Sequence, residues 1–121
     1  MSDEKSTGDR FNTGKPKLSF CNLGKEVLAG EAAVWESGAK KYSRGNWLKG
    51  MPYTEAADSL IRHTLAFLNG EDIDPESGLP HVDHMVCSAK IVSNSFHTRP
   101  DLDNRETSET VTSEWIFIST S

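Results

Sequence analysis

Thr54-Glu55-Ala56-Ala57-Asp58-Ser59-Leu60-Ile61-Arg62-His63-Thr64-Leu65-Ala66-Phe67-Leu68-Asn69-Gly70 is the stretch on which the fold turns. Ala57, Leu60, Ile61, Leu65 and Leu68 recur at the spacing of one face of an α-helix. Thr54 is the expected N-cap, because its hydroxyl can take up an orphan N–H of the first turn, and Gly70 is the expected stop. Downstream, Glu71, Asp72, Asp74 and Glu76 precede Ser77 and Gly78, a composition that makes a connection rather than more helix. Pro80 suits the first turn of a following helix. In that helix Val82, Met85, Val86, Ala89, Val92 and Phe96 form one stripe, and Arg99-Pro100 marks its end.

Upstream, Val27, Leu28, Val34, Trp35, Ala39 and Tyr42 recur at helical spacing from about 25 to 42, with Gly30 and Gly38 weakening the helix. Residues 43–53 carry two glycines, a proline and aromatics and read as an ordered loop. Three helices with apolar stripes predict an all-α fold, a small helical bundle. Residues 1–14 are expected to be a flexible N-terminal segment and 15–100 the helical domain, opened by an extended lead-in that wraps it. Residues 101–121 are expected to be a mobile acidic tail, whose short apolar end, Trp115-Ile116-Phe117-Ile118, docks on this domain or on a second subunit.

The helical part, about 80 residues, lies near the lower limit for independent stability, so a homo-oligomer is expected. A net charge of −5 argues against general nucleic-acid binding; Lys40, Lys41, Arg44 and Lys49 form the one candidate cluster for holding a nucleotide, and equally read as a solvated helix end and loop. No run is long and apolar enough for a membrane span, and the first residues lack the apolar core of a signal peptide, which makes the cytoplasm the expected location. Cys21 and Cys87 have no metal or redox spacing and are read as core thiols.

Chemistry, if present, concentrates between Arg62 and His84. His63 lies on the second helix, and His81 and His84 lie one turn apart on the third, so antiparallel packing would gather them with the acidic loop around one cleft. Carboxylates of Glu71, Asp72, Asp74 or Glu76 suit Mg²⁺ or Mn²⁺, imidazoles suit Mn²⁺ or Zn²⁺, and the same groups suit acid–base work. Equally, two histidines on a polar helical flank need no ligand, and Arg62 could simply pair with Asp58 one turn earlier. No phosphate-loop, dinucleotide-binding, zincin or serine-hydrolase motif occurs.

The blocks Gly38-Ala39-Lys40-Lys41-Tyr42, Asn46-Trp47, Arg62-His63, Gly70-Glu71-Asp72, Asp74-Pro75-Glu76-Ser77-Gly78-Leu79 and His81-Val82-Asp83-His84 resemble, in order and spacing, the phage and bacterial domain named for dATP/dGTP diphosphohydrolases. The resemblance covers roughly residues 14–96. It implies a small α-helical protein that removes pyrophosphate from purine deoxynucleoside triphosphates with a divalent metal, in the host cytoplasm where phage-encoded. The distantly similar MazG-like pyrophosphohydrolases place metal ligands in ExxE and ExxD motifs; here no ExxE precedes an ExxD, and histidines stand in their place.

The positions that match the family are Lys41, Tyr42, Asn46, Trp47, Arg62, His63, Glu71, Asp74, His81 and His84. Their chemistry suggests Glu71, Asp74, His81 and His84 as metal ligands, His63 with Glu71 as catalytic groups, Lys41 and Arg62 on phosphate oxygens, and Tyr42, Asn46 and Trp47 on the base; the alternative for Trp47 and Tyr42 is that they only pin the loop to the bundle. The competing expectation is a non-enzymatic accessory protein with a structural histidine cluster and a partner-binding tail.

Overall fold

Proline, not threonine, starts the two helices that matter most. The computed structural model describes Gly8, residues 13–22 and residues 24–106, in which α1 spans Lys25–Lys41, α2 Tyr53–Leu68 and α3 His81–Thr98. Pro52 and Pro80 occupy the N-cap positions of α2 and α3, with no side-chain cap at either. Their ring-fixed φ sets the entry angle, and their carbonyls accept the first helical N–H groups, those of Glu55 and Ala56 and of Asp83 and His84. Thr54 is therefore one residue inside its helix: its N–H donates to Asn104 Oδ1 at 3.1 Å, and its hydroxyl accepts from Asn104 Nδ2 at 2.8 Å. The cap comes from residues past α3, where Asn104 and Arg105 return along α2, with Arg105 over the Tyr53 ring at 5.4 Å.

The described residues form an all-α bundle with α3 in the middle, α2 antiparallel to it on one side and α1 on another. At one end of the α2–α3 hairpin the Tyr53 hydroxyl sits 3.1 Å from the Arg99 carbonyl and 3.2 Å from that of Ser95. Midway, the hydroxyls of Ser59 and Ser88 meet at 3.2 Å. At the other end His63 meets His81. Against α1, Lys90 Nζ donates to the buried Glu31 carboxylate at 2.6 Å, and Cys87 lies beneath the Glu31 carbonyl. A Cβ on Gly30 would overlap the Asp83 carboxylate, so the glycine that weakens α1 also lets α3 approach.

The apolar stripes do not make this core. The buried hydrophobic residues described are Val34, Tyr53, Ala56 and Cys87, joined by buried Glu31, His81, Ser88 and Ser95. Ile61, Leu65 and Leu68 on α2 and Val82 and Phe96 on α3 are exposed, Leu68 at 72% and Phe96 at 57%. Close approach of the two helices requires small side chains in the seam, and Ala56, Ser59, Ser88 and Ser95 supply them, with hydrogen bonds satisfying the hydroxyls. Periodicity identifies the greasy face of each helix but not which face meets the neighbour.

Two further expectations are corrected. The lead-in does not wrap the domain, since Leu18 and Phe20 are exposed. Cys21 is exposed, whereas Cys87 is a core thiol pushed up to about 12 by burial and by the Glu31 carboxylate beside it. The apolar end 115–118 lies outside the described residues. Among the described residues no helix is long and apolar enough to cross a membrane.

Candidate active site

Gly70 aims the acidic loop at α3. In left-handed conformation (φ +92°) it closes α2 with a paired C-terminal motif: Gly70 N–H donates to the Phe67 carbonyl and Glu71 N–H to that of Ala66, both at 3.0 Å. The chain then turns back across the head of α3, where His81 N–H donates to the Asp72 carbonyl at 2.9 Å and Ile73 bridges Pro80. Asp74 organises the remainder. Its carboxylate accepts from the N–H groups of Glu76 and Ser77 and from the Ser77 hydroxyl at 2.8 Å, while Gly78 (φ +73°) makes the turn.

Three histidines close over this loop. His81 Nε2 lies 2.6 Å from Glu71 Oε1, and His81 Nδ1 lies 2.8 Å from His63 Nδ1. A carboxylate only accepts, so His81 carries a proton on Nε2. In the neutral ring its Nδ1 then accepts from His63 Nδ1–H, and His63 Nε2 is left with a free lone pair. The result is a hydrogen-bonded chain, Glu71 to His81 to His63. The His84 ring stacks on His63 with centroids 4.4 Å apart and planes within 4°. His84 Nε2 lies 2.7 Å from Ser77 Oγ and 3.4 Å from Asp74 Oδ2. Ser77 spends its one hydroxyl proton on Asp74, so it accepts from His84 Nε2–H.

Burial and the neighbouring His84 charge lower the pKa of His63, and burial lowers that of His84, so both rings favour the neutral form. Burial works against ionisation of Asp74, but the Ser77 hydroxyl and the two loop N–H groups outweigh it and hold the carboxyl below its usual value. Lys41, at the end of α1, reaches the loop and pairs with Glu76 at 3.1 Å. Arg62 is exposed beside His63 and forms no ion pair with Asp58 among the described residues.

The structure thus gathers His63, Glu71, Asp74, His81 and His84 at one end of the hairpin, with Lys41 at the loop rim and Arg62 next to His63. Tyr42, Asn46 and Trp47 are placed differently. Trp47 lies face to face with Trp35 at 4.4 Å, and Trp35 Nε1 donates to Glu31, which pins the 43–52 loop to α1. Asn46 begins the short turn carrying Trp47, and Tyr42 is exposed beyond the end of α1. Reading by residue type missed Ser77, which ties His84 to Asp74; the Asp-x-x-Ser spacing of a side-chain turn was its signal.

The four residues expected to hold a metal do not converge on one point. They form two separate acid–histidine pairs, Glu71 with His81 and Asp74 with His84, and each carboxylate is engaged by its own histidine or by Ser77. No group of three or more His, Cys, Asp or Glu among the described residues stands where it could hold an ion. As arranged, these side chains do not fit a resident metal.

A small all-helical domain with an acid–histidine cluster where a helical hairpin turns is the class that fold and site define. The chain belongs to the family described as dATP/dGTP diphosphohydrolase, N-terminal, whose profile matches residues 5–105. It is also 33% identical over 107 residues, 87% of its length, to a dATP/dGTP diphosphohydrolase of Salmonella phage PMBT28. It spans 35% of that relative's length. No solved structure matches.

Proposed function

We propose that this domain hydrolyses a purine deoxynucleoside triphosphate to the monophosphate and pyrophosphate, with His63 as the general base. The observation that carries the reading is the Glu71–His81–His63 chain, which ends on a ring nitrogen able to take a proton. Family membership and the name of the phage relative supply the substrate class.

In this proposal water attacks the α-phosphorus and gives its proton to His63 Nε2. The Nδ1 proton of His63 passes to His81 Nδ1, and the positive charge settles on the imidazolium facing the Glu71 carboxylate, where an ion pair stabilises it. The α–β bridging bond breaks, and pyrophosphate leaves with the electron pair. Arg62 and Lys41 bind phosphate oxygens; Lys41 would exchange Glu76 for the incoming triphosphate. Tyr42, exposed near Lys41, stays a candidate for the base, whereas Trp47 acts by holding its loop. Because the cluster does not fit a resident ion, the divalent cation of the proposal, Mg²⁺ or Mn²⁺ before Zn²⁺, is the counter-ion of the nucleotide substrate. The site would work in the cytoplasm, the host's if the chain is phage-encoded, and in a homo-oligomer.

The test is pyrophosphate release from each dNTP and NTP with Mg²⁺, Mn²⁺ or chelator, for wild type and Glu71→Gln. Expected are turnover with dATP or dGTP, loss in chelator, and at least a tenfold loss in Glu71→Gln with helicity unchanged. No release from any nucleotide would move the histidine cluster to a structural role and the chain to the accessory-protein reading.

A further inference from the structure

We infer that the outer face of the α2–α3 hairpin is the interface with a second copy of this chain. The inference locates the contact of the homo-oligomer named in the proposed function, does not depend on the nucleotide chemistry, and rests on how α3 divides its circumference. Asp83, Cys87 and Lys90 are turned to α1, with Cys87 and Lys90 on Glu31 and Asp83 over Gly30. His81, His84, Ser88 and Ser95 are turned to α2 and its flanking loops. The remaining third carries Val82, Met85, Ala89, Val92 and Phe96, stepping by three and four residues in alternation. That is the pattern of a helix that packs another helix knobs into holes; Val82, Ala89 and Phe96 are exposed, Met85 and Val92 half-buried, and at the Phe96 end Tyr53, Thr54 and Arg105 border the face.

The neighbouring helix continues the same surface. Ala57, Ile61, Leu65 and Leu68 climb α2 on its outward side, and Ala57 joins Ala89, Val92 and Phe96 in lining an apolar groove of about 340 Å³ between the helices. From Val82 to Phe96 the face runs about 21 Å, and two helices make it about 20 Å wide, a footprint on the order of 400 Å². That footprint is about half the roughly 800 Å² per partner of a standard interface, and the relief of its side chains, counted as accessible surface, brings it to the scale of a small dimer contact.

The size also selects the occupant. The apolar tail end Trp115-Ile116-Phe117-Ile118, extended, is about 13 Å by 5 Å and would leave most of this face in water. A second copy presents the same two stripes at the same length. A two-fold axis near Ala89, the small residue at the middle of the α3 stripe, would then build a four-helix core from residues that a monomer leaves wet. The few buried apolar residues of the single chain make that core the main hydrophobic store of the fold.

The experiment is sedimentation of the full chain across the micromolar range, for wild type and Leu65→Glu, with cross-linking to locate the contact. For the latter, Ala89→Cys and, as control, the α1 variant Glu36→Cys are made in a Cys21→Ser background and treated with a short bis-maleimide. Expected are a wild-type dimer, a monomeric or much weaker Leu65→Glu, and dimer cross-linking through Cys at 89 but not at 36. A monomeric wild type overturns the inference, including one whose tail tryptophan is shielded because the tail itself covers the face. So does a dimer that Ala89→Cys fails to cross-link. The cross-linking arm decides the matter if Leu65→Glu does not fold.

Discussion

The two ends of the α2–α3 hairpin are closed by polar side chains, yet they do different work. At the Tyr53 end one hydroxyl is set among backbone carbonyls at the end of α3, acceptors that cannot take up its proton and pass it on. At the His63 end Glu71, His81 and His63 form a chain in which a proton accepted at one end can be matched by charge at the other. Both satisfy buried polar groups, as a seam of this kind requires. Hydrogen-bond satisfaction alone therefore does not mark a site; what sets the His63 end apart, and what the proposed hydrolysis uses, is a continuous path between titratable groups.

The largest effect that separates the ends is on turnover. His81→Ala cuts the path in the middle and is expected to lower kcat by about 10²-fold or more, the scale of a general base, as read by pyrophosphate release. Next comes packing: Gly30→Ala puts a methyl group where the Asp83 carboxylate lies, but that carboxylate ends a side chain that can turn aside and alanine favours the helix by about 1 kcal/mol, so urea unfolding should change by no more than about 1 kcal/mol. At the neutral end, Tyr53→Phe removes the hydroxyl from its carbonyls for about 1 kcal/mol, leaving kcat within about twofold. If Tyr53→Phe lowers kcat as much as His81→Ala does, the comparison fails.

The smallest effect is in pH. His63 and His84 have pKa values lowered from the ordinary 6.5, so below 6.5 the unfolded chain binds protons that the folded chain refuses. Their contribution to stability is complete above 6.5 and is lost as pH falls through the folded values. Thermal unfolding should therefore show Tm falling on acidification from pH 7 to 5, less steeply in His63→Asn. An unchanged slope in that variant would remove His63 from the account.

Much of this was legible in the sequence because it rested on local chemistry. The apolar period fixed the existence of α2 and α3, Gly70 their separation, and the acid run the loop that brings Glu71 to His81. What escaped depends on which surfaces meet. Stripes strong enough to define the helices lie outside, because the seam needs small residues such as Ala56, Ser88 and Ser95. Trp47 could be read as a base contact or as a pin for its loop; that it packs on Trp35 of the preceding helix depended on how the loop folds back. Asp74 and His84 were legible as neighbours, while Ser77 between them depended on the turn the loop takes.

The central claim is that the histidine end performs hydrolysis through His63. Pyrophosphate release from dATP and dGTP by His63→Asn, beside wild type and matched for helicity, tests it most directly. The account predicts turnover in wild type and a loss of about 10²-fold in the variant with little change in KM; equal turnover in the two proteins would contradict it.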